Sequence, residues 1–159
     1  RGNRLRRWLG RRPPPLTLGD GVWRRAHDRY MRAVERFHGI VELVEYRQLR
    51  LELADVGACL DITAETVRSV CERAERAAPS SGETVPEGRG GRYREQHRRV
   101  SRVATLCALA SEHALQAQVC ARAQDLEGMR AATDALRRTI KALLELLDEA
   151  EDAAEGPQE

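Results

Sequence analysis

Glu35 and His38 are the first residues of this chain whose types and spacing could do chemistry. An E-x-x-H sets a carboxylate and an imidazole on one helical face, the arrangement with which ferritin-like bundles hold paired metal ions. Such a site needs a counterpart on a facing helix, and His27, His97 and His113 have no Glu three residues before them. Phe37 belongs to an apolar stripe that excludes Glu35 and His38, so both are expected at a solvated rim. His113 and Cys120 are ligand types that only folding could bring together. The chain contains no H-E-x-x-H, no G-x-S-x-G and no glycine-rich phosphate loop. A metal-binding, ferritin-like bundle is therefore only the third expectation, and no catalytic, cofactor or metal residue is assigned. Cys59, Cys71, Cys107 and Cys120 stand apart within helical patterns. That spacing predicts reduced thiols in a cytoplasmic protein rather than a disulfide scaffold.

The stretch VGACLDITAETVRSV, residues 56–70, resembles the helix-turn-helix of bacterial DNA-binding proteins. Gly57, Leu60, Ile62, Thr63, Thr66 and Val67 match that pattern, and Asp61 stands where the turn usually has Gly. The resemblance implies a second helix capped by Thr63, with Thr63, Ala64, Glu65, Arg68 and Ser69 towards DNA. The same positions also fit an unbroken helical stripe from Leu49 to Ala74, which is the preferred expectation.

A third constellation opens the chain. In RLRRWLGRRPPP, residues 4–15, Leu5, Trp8 and Leu9 stand at i, i+3 and i+4, flanked by Arg4, Arg6, Arg7, Arg11 and Arg12. A helix of this kind is the form of an interfacial membrane anchor. At about 1 kcal/mol per basic residue near an anionic leaflet, the six arginines of residues 1–12 set an upper bound of about 6 kcal/mol, before the entropy of ordering the arm. Nucleic-acid phosphates would attract the same side chains with a steep salt dependence. Docking onto the chain's own acidic C-terminal end is a further alternative.

The elements that would position these residues follow from periodicity. Trp23, Ala26, Tyr30, Ala33, Phe37, Ile40 and Val44 are spaced by three and four, as are Leu49, Leu53, Val56, Leu60, Thr63, Val67, Val70 and Ala74. The step of five from Val44 to Leu49 predicts a turn near residues 45–48. After a Pro- and Gly-rich stretch the design repeats, from Val100 to Ala121 and from Leu126 to Ala150, with Asp125 placed to cap the last helix. The expected fold is all-α: an antiparallel, up-down-up-down four-helix bundle built from two long helical hairpins. Its divisions are a flexible basic tail at 1–18, a first hairpin at 19–78, a flexible linker at 79–91, a second hairpin at 92–154 and an acidic end at 155–159. Helices of 25 to 31 residues are expected, with kinks favoured at Gly57 and Gly128.

Basic residues exceed acidic by only two, but residues 145–159 carry seven acids and no base. The arginines that open the third helix, from Arg92 to Arg102, are expected to meet and neutralise those acids. No apolar run approaches the roughly 18 residues that span a bilayer. The expected function is a non-catalytic adaptor or scaffold whose basic arm contacts an anionic membrane surface or partner, with no small-molecule substrate evident. A protein partner or second copy would cover an outer face formed by Leu43, Leu51, Leu106, Leu109 and Leu144. The runner-up is a DNA-binding regulator using residues 56–70.

Overall fold

A computed structural model of the chain describes residues 17–156. Arg4, Leu5, Arg6, Arg7, Trp8, Leu9, Arg11 and Arg12 of the basic arm lie outside the described residues. Four helices form the fold: α1 (Val22–Leu43), α2 (Arg47–Ala77), α3 (Arg92–Arg122) and α4 (Leu126–Ala154), with a short 3-10 turn at Arg89–Gly91. They contain 22, 31, 31 and 29 residues, so α1 is shorter than its spacing suggests.

Each apolar stripe becomes a buried seam. Trp23, Tyr30 and Phe37 of α1 are fully enclosed, as are Leu53, Leu60 and Val67 of α2. α3 contributes small side chains, Val103, Cys107, Ala110, Ala114 and Ala117, and α4 contributes Leu136, Leu143, Leu147 and Ala150. Leu126 departs from the pattern: it is exposed at the first position of α4, where the helix has not yet met its neighbours. Polar side chains inside the seam are tied to backbone. Trp23 donates from Nε1 to the Ala78 carbonyl oxygen at 3.0 Å, and Tyr30 donates its hydroxyl to the Leu60 carbonyl oxygen at 3.0 Å.

Helices joined within a hairpin run antiparallel, as the three-residue gap between α1 and α2 and the short turn before α4 require. Across the hairpins the neighbours run parallel. Arg29 donates to Thr105, Ser111 donates to the Ala33 carbonyl, Arg36 pairs with Glu112, and Gln118 donates to the Leu43 carbonyl, so α1 and α3 advance together. α2 and α4 do likewise through Arg137 to Glu52 and Arg73 to Glu155. The order around the bundle is thus α1, α2, α4, α3, with direction alternating along the chain but not around the ring. α3 is the hub, sharing its longest interfaces with α4 and α1.

Local chemistry accounts for the ends. Gly128 donates its N–H to Asp125 Oδ1 at 2.9 Å, the cap expected for α4. At α1, the free N–H of Val22 donates to Ser80 Oγ at 3.2 Å, and Ser80 is itself buried. The start of the connecting segment is therefore packed into the fold rather than solvated. Gly57 and Gly128 each lie within an uninterrupted helix. A Cβ at Gly57 would approach His38 Cε1 to 2.9 Å, and one at Gly128 would meet the carboxylate of Asp125. Close approach is what these glycines permit.

Candidate functional site

The helix-turn-helix resemblance does not survive the fold. α2 is continuous from Arg47 to Ala77, and Asp61 is a helical residue whose carboxylate lies 2.7 Å from His38 Nε2. Thr63 is buried and donates its hydroxyl to the Cys59 carbonyl one turn back, so it caps no new helix. Arg68 pairs with Glu72 at 2.9 Å, Ala64 and Ser69 are half-buried, and only Glu65 of the five is exposed. With no turn at Asp61, residues 56–70 have no separate reading helix to insert in a groove.

Glu35 and His38 remain at the surface, with His38 engaged by Asp61 rather than by a second E-x-x-H. Among the described residues no three His, Cys, Asp or Glu side chains group to hold an ion. Burial pushes the Cys71 and Cys107 thiols up to about 12, which removes the thiolate that reactivity needs. Burial, with the nearby Arg25 and Arg29 charges, lowers the pKa of His97, whose ring meets Trp23 edge-on at 5.8 Å.

The strongest concentration of functional groups lies where the end of α2, the start of α3 and the end of α4 converge. There a cleft of about 1330 Å³ is lined by Arg73 and Arg76 from α2, Arg92 and Arg99 from α3, and Glu95 and Glu155. Small residues, Ala77, Ala153 and Ala154, also line it. Arg92 is held over the Tyr93 ring, 4.7 Å from its centroid, and donates to the Tyr93 hydroxyl at 2.7 Å. Arg99 donates to Gln96 Oε1 at 3.3 Å.

Among the described residues no ion pair joins the arginines that open α3 to the acids of α4. The two ends do meet, but Arg94 pairs with Glu87 of the linker and Arg98 with Glu95 of its own helix. Among the described residues the pair that reaches the α4 terminus comes from Arg73 of α2, at 3.6 Å from Glu155. Parallel packing of α2 beside α4 brings Arg73 and Arg76 to this end, and the arginine spacing of α3 alone could not reveal them. A usable signal was Arg73-x-x-Arg76 in the closing turns of a helix that must finish where α3 begins.

At the opposite end, Leu43, Tyr46, Leu115, Val119 and Leu126 are exposed. Of the five leucines expected on an outer face, Leu43, Leu51, Leu109 and Leu144 are exposed. Leu106 is not: the α3 hub buries a wide arc, and Leu106 packs into the core. No helix among the described residues is long and apolar enough to cross a membrane.

Together the fold and cleft define a four-helix bundle protein with one end where arginines meet the acidic close of α4 and one apolar end. No protein-family model, curated protein or solved structure matches the chain.

Proposed function

We propose that the protein is a non-catalytic, cytoplasmic helical adaptor that docks on an anionic membrane surface through its arginine-rich N-terminal arm. The observation that carries this is positional. The arm leads into Leu18 and α1 beside the end of α2, the same end that carries Arg73, Arg76, Arg92 and Arg99. The arginines of the cleft would add to the attraction of the arm's arginines for an extended anionic surface, and docking of the arm onto the acidic end of α4, at the same pole, is the competing reading. The protonated, buried thiols of Cys71 and Cys107 favour a non-catalytic role. Exposed Leu43, Tyr46 and Val119 at the far end give a protein partner or a second copy an apolar place to bind away from the membrane.

The test is co-sedimentation with neutral and anionic vesicles, at low and physiological salt, of the full chain and of a variant with Arg4, Arg6, Arg7, Arg11 and Arg12 replaced by Gln. Binding to anionic vesicles alone, weaker at physiological salt and lost in the variant, is the expected result. Binding unaffected by the arm substitutions would overturn the proposal. A preference for random duplex DNA over vesicles would replace the membrane with nucleic acid.

A further inference from the structure

The cleft at the basic end carries more than a diffuse charge. We infer that it is a binding site for a small ligand bearing two or more phosphate groups, held by Arg73, Arg76, Arg92 and Arg99. This deepens the proposed function by assigning a ligand to that end, and it does not require the arm.

The guanidinium groups are under-used. Among the described residues Arg76, Arg92 and Arg99 have no carboxylate partner, and Arg73 has only Glu155, at 3.6 Å. Glu95 is turned to Arg98 at 3.4 Å. Four arginines therefore face two acids across the cleft. The first turns of α3 compound the excess, because Arg92, Arg94, Arg98 and Arg99 crowd a helix end whose dipole favours negative charge. That end has no side-chain cap at Gly91, and its first two N–H groups, of Arg92 and Tyr93, are taken by the carbonyl oxygens of Arg89 and Glu87. An anion seated there would answer the guanidinium charges and the helix dipole together. The closing turns of α2 and α4 bring carbonyl ends of the opposite sign to the same region, where Arg73 and Arg76 also line the cleft.

Geometry favours phosphate over carboxylate. A carboxylate offers two oxygens and one charge, enough for a single guanidinium fork. A phosphate group offers three oxygens and up to two charges, and can accept from forks arriving from different helices. Arg92 is already fixed by Tyr93, so less side-chain freedom is lost on binding. The cleft, at about 1330 Å³, is larger than one phosphate would fill and suits a pyrophosphate unit or a multiply phosphorylated headgroup.

Calorimetric titration of the full chain with inorganic pyrophosphate tests the assignment, with citrate at matched ionic strength as an anion of comparable charge. Pyrophosphate should bind, citrate should bind at least about tenfold more weakly, and Arg76→Gln and Arg99→Gln should each weaken pyrophosphate about tenfold. Arg122→Gln, at the far end of α3, and the arm variant should leave the affinity unchanged. Absence of pyrophosphate binding, equal affinity for citrate, or equal loss in Arg122→Gln would overturn the inference. Competition between pyrophosphate and vesicles carrying phosphatidylinositol bisphosphate decides the source: displacement supports a lipid headgroup, and a lack of preference for those vesicles over phosphatidylserine supports a soluble polyphosphate. Pyrophosphate binding with arm-independent vesicle binding would sink the proposed arm-led docking and leave the cleft assignment standing.

Discussion

Gln96 of α3 donates from Nε2 to the carbonyl oxygen of Ala150 in α4 at 2.7 Å, with both residues buried. A neutral amide, not an ion pair, thus joins the most basic and most acidic segments of the bundle. The bond lies between antiparallel neighbours and beside the cleft, so it also fixes the spacing of Arg92 and Arg99 from the α4 terminus. Replacing Gln96 with Leu removes the donor while keeping apolar bulk. The expected cost is about 1 kcal/mol, the net value of a buried neutral hydrogen bond, read as a lowered urea midpoint with an unchanged slope.

Gly57 is a sharper probe of the α1–α2 interface. Exchange of an interior helical glycine for alanine ordinarily stabilises by about 1 kcal/mol. Here the added Cβ would meet the His38 ring at 2.9 and 3.1 Å, and that ring is bound to Asp61 at 2.7 Å. Gly57→Ala should therefore gain little or lose slightly in the native background. In a His38→Ala background the same change should recover about 1 kcal/mol. A double-mutant cycle by denaturant unfolding measures the coupling, and equal effects in both backgrounds would show that His38 does not limit the approach.

These cases also mark how far the fold was legible in the sequence. The three-and-four spacing revealed the buried face of every helix, and Asp125 announced its own cap, because both are local signals repeated each turn. Ring order was not legible. A stripe says which face is buried but not which helix covers it, and parallel packing of α1 beside α3 depends on the route of the 78–91 connection. Leu106 was misplaced for a related reason, since a hub helix with three neighbours buries more of its circumference than one stripe. The helix-turn-helix resemblance at residues 56–70 drew on Leu, Ile, Thr and Val positions that a continuous helix uses equally well. No Gly or Pro at Asp61 stops the hydrogen-bond ladder. That helix ends of α2 and α4 and the start of α3 share one pole followed from the alternating directions of the helices, but that Arg73 and Arg76 line a cleft there with Arg92 and Arg99 did not.

His97 gives the bundle a signed pH dependence. Burial, then the Arg25 and Arg29 charges, holds its folded-state pKa below the ordinary value of 6.5. Above that value the imidazole is neutral in both folded and unfolded chains and contributes nothing to the balance. As pH falls below 6.5 the unfolded chain takes up the proton first, so stability is lost until the pH passes the lower folded pKa, beyond which the contribution is flat. Urea midpoints at several pH values for native chain and His97→Gln isolate the effect. The native chain should lose more stability than the variant below 6.5, with parallel behaviour above it.

The thiols should separate by environment. Cys71 and Cys107 are fully buried, with burial raising both thiols to about 12. Because the thiolate is the reactive form, alkylation near neutral pH demands both opening of the bundle and ionisation. Cys59, half-buried on α2, lacks the first barrier. Brief treatment with iodoacetamide followed by peptide mass mapping should therefore modify Cys59 well before Cys71 or Cys107, and denaturant should erase the order. Modification of Cys107 as fast as Cys59 in the folded chain would mean that the α1–α3 seam opens locally, which the enclosed Tyr30 and Phe37 on its other side argue against.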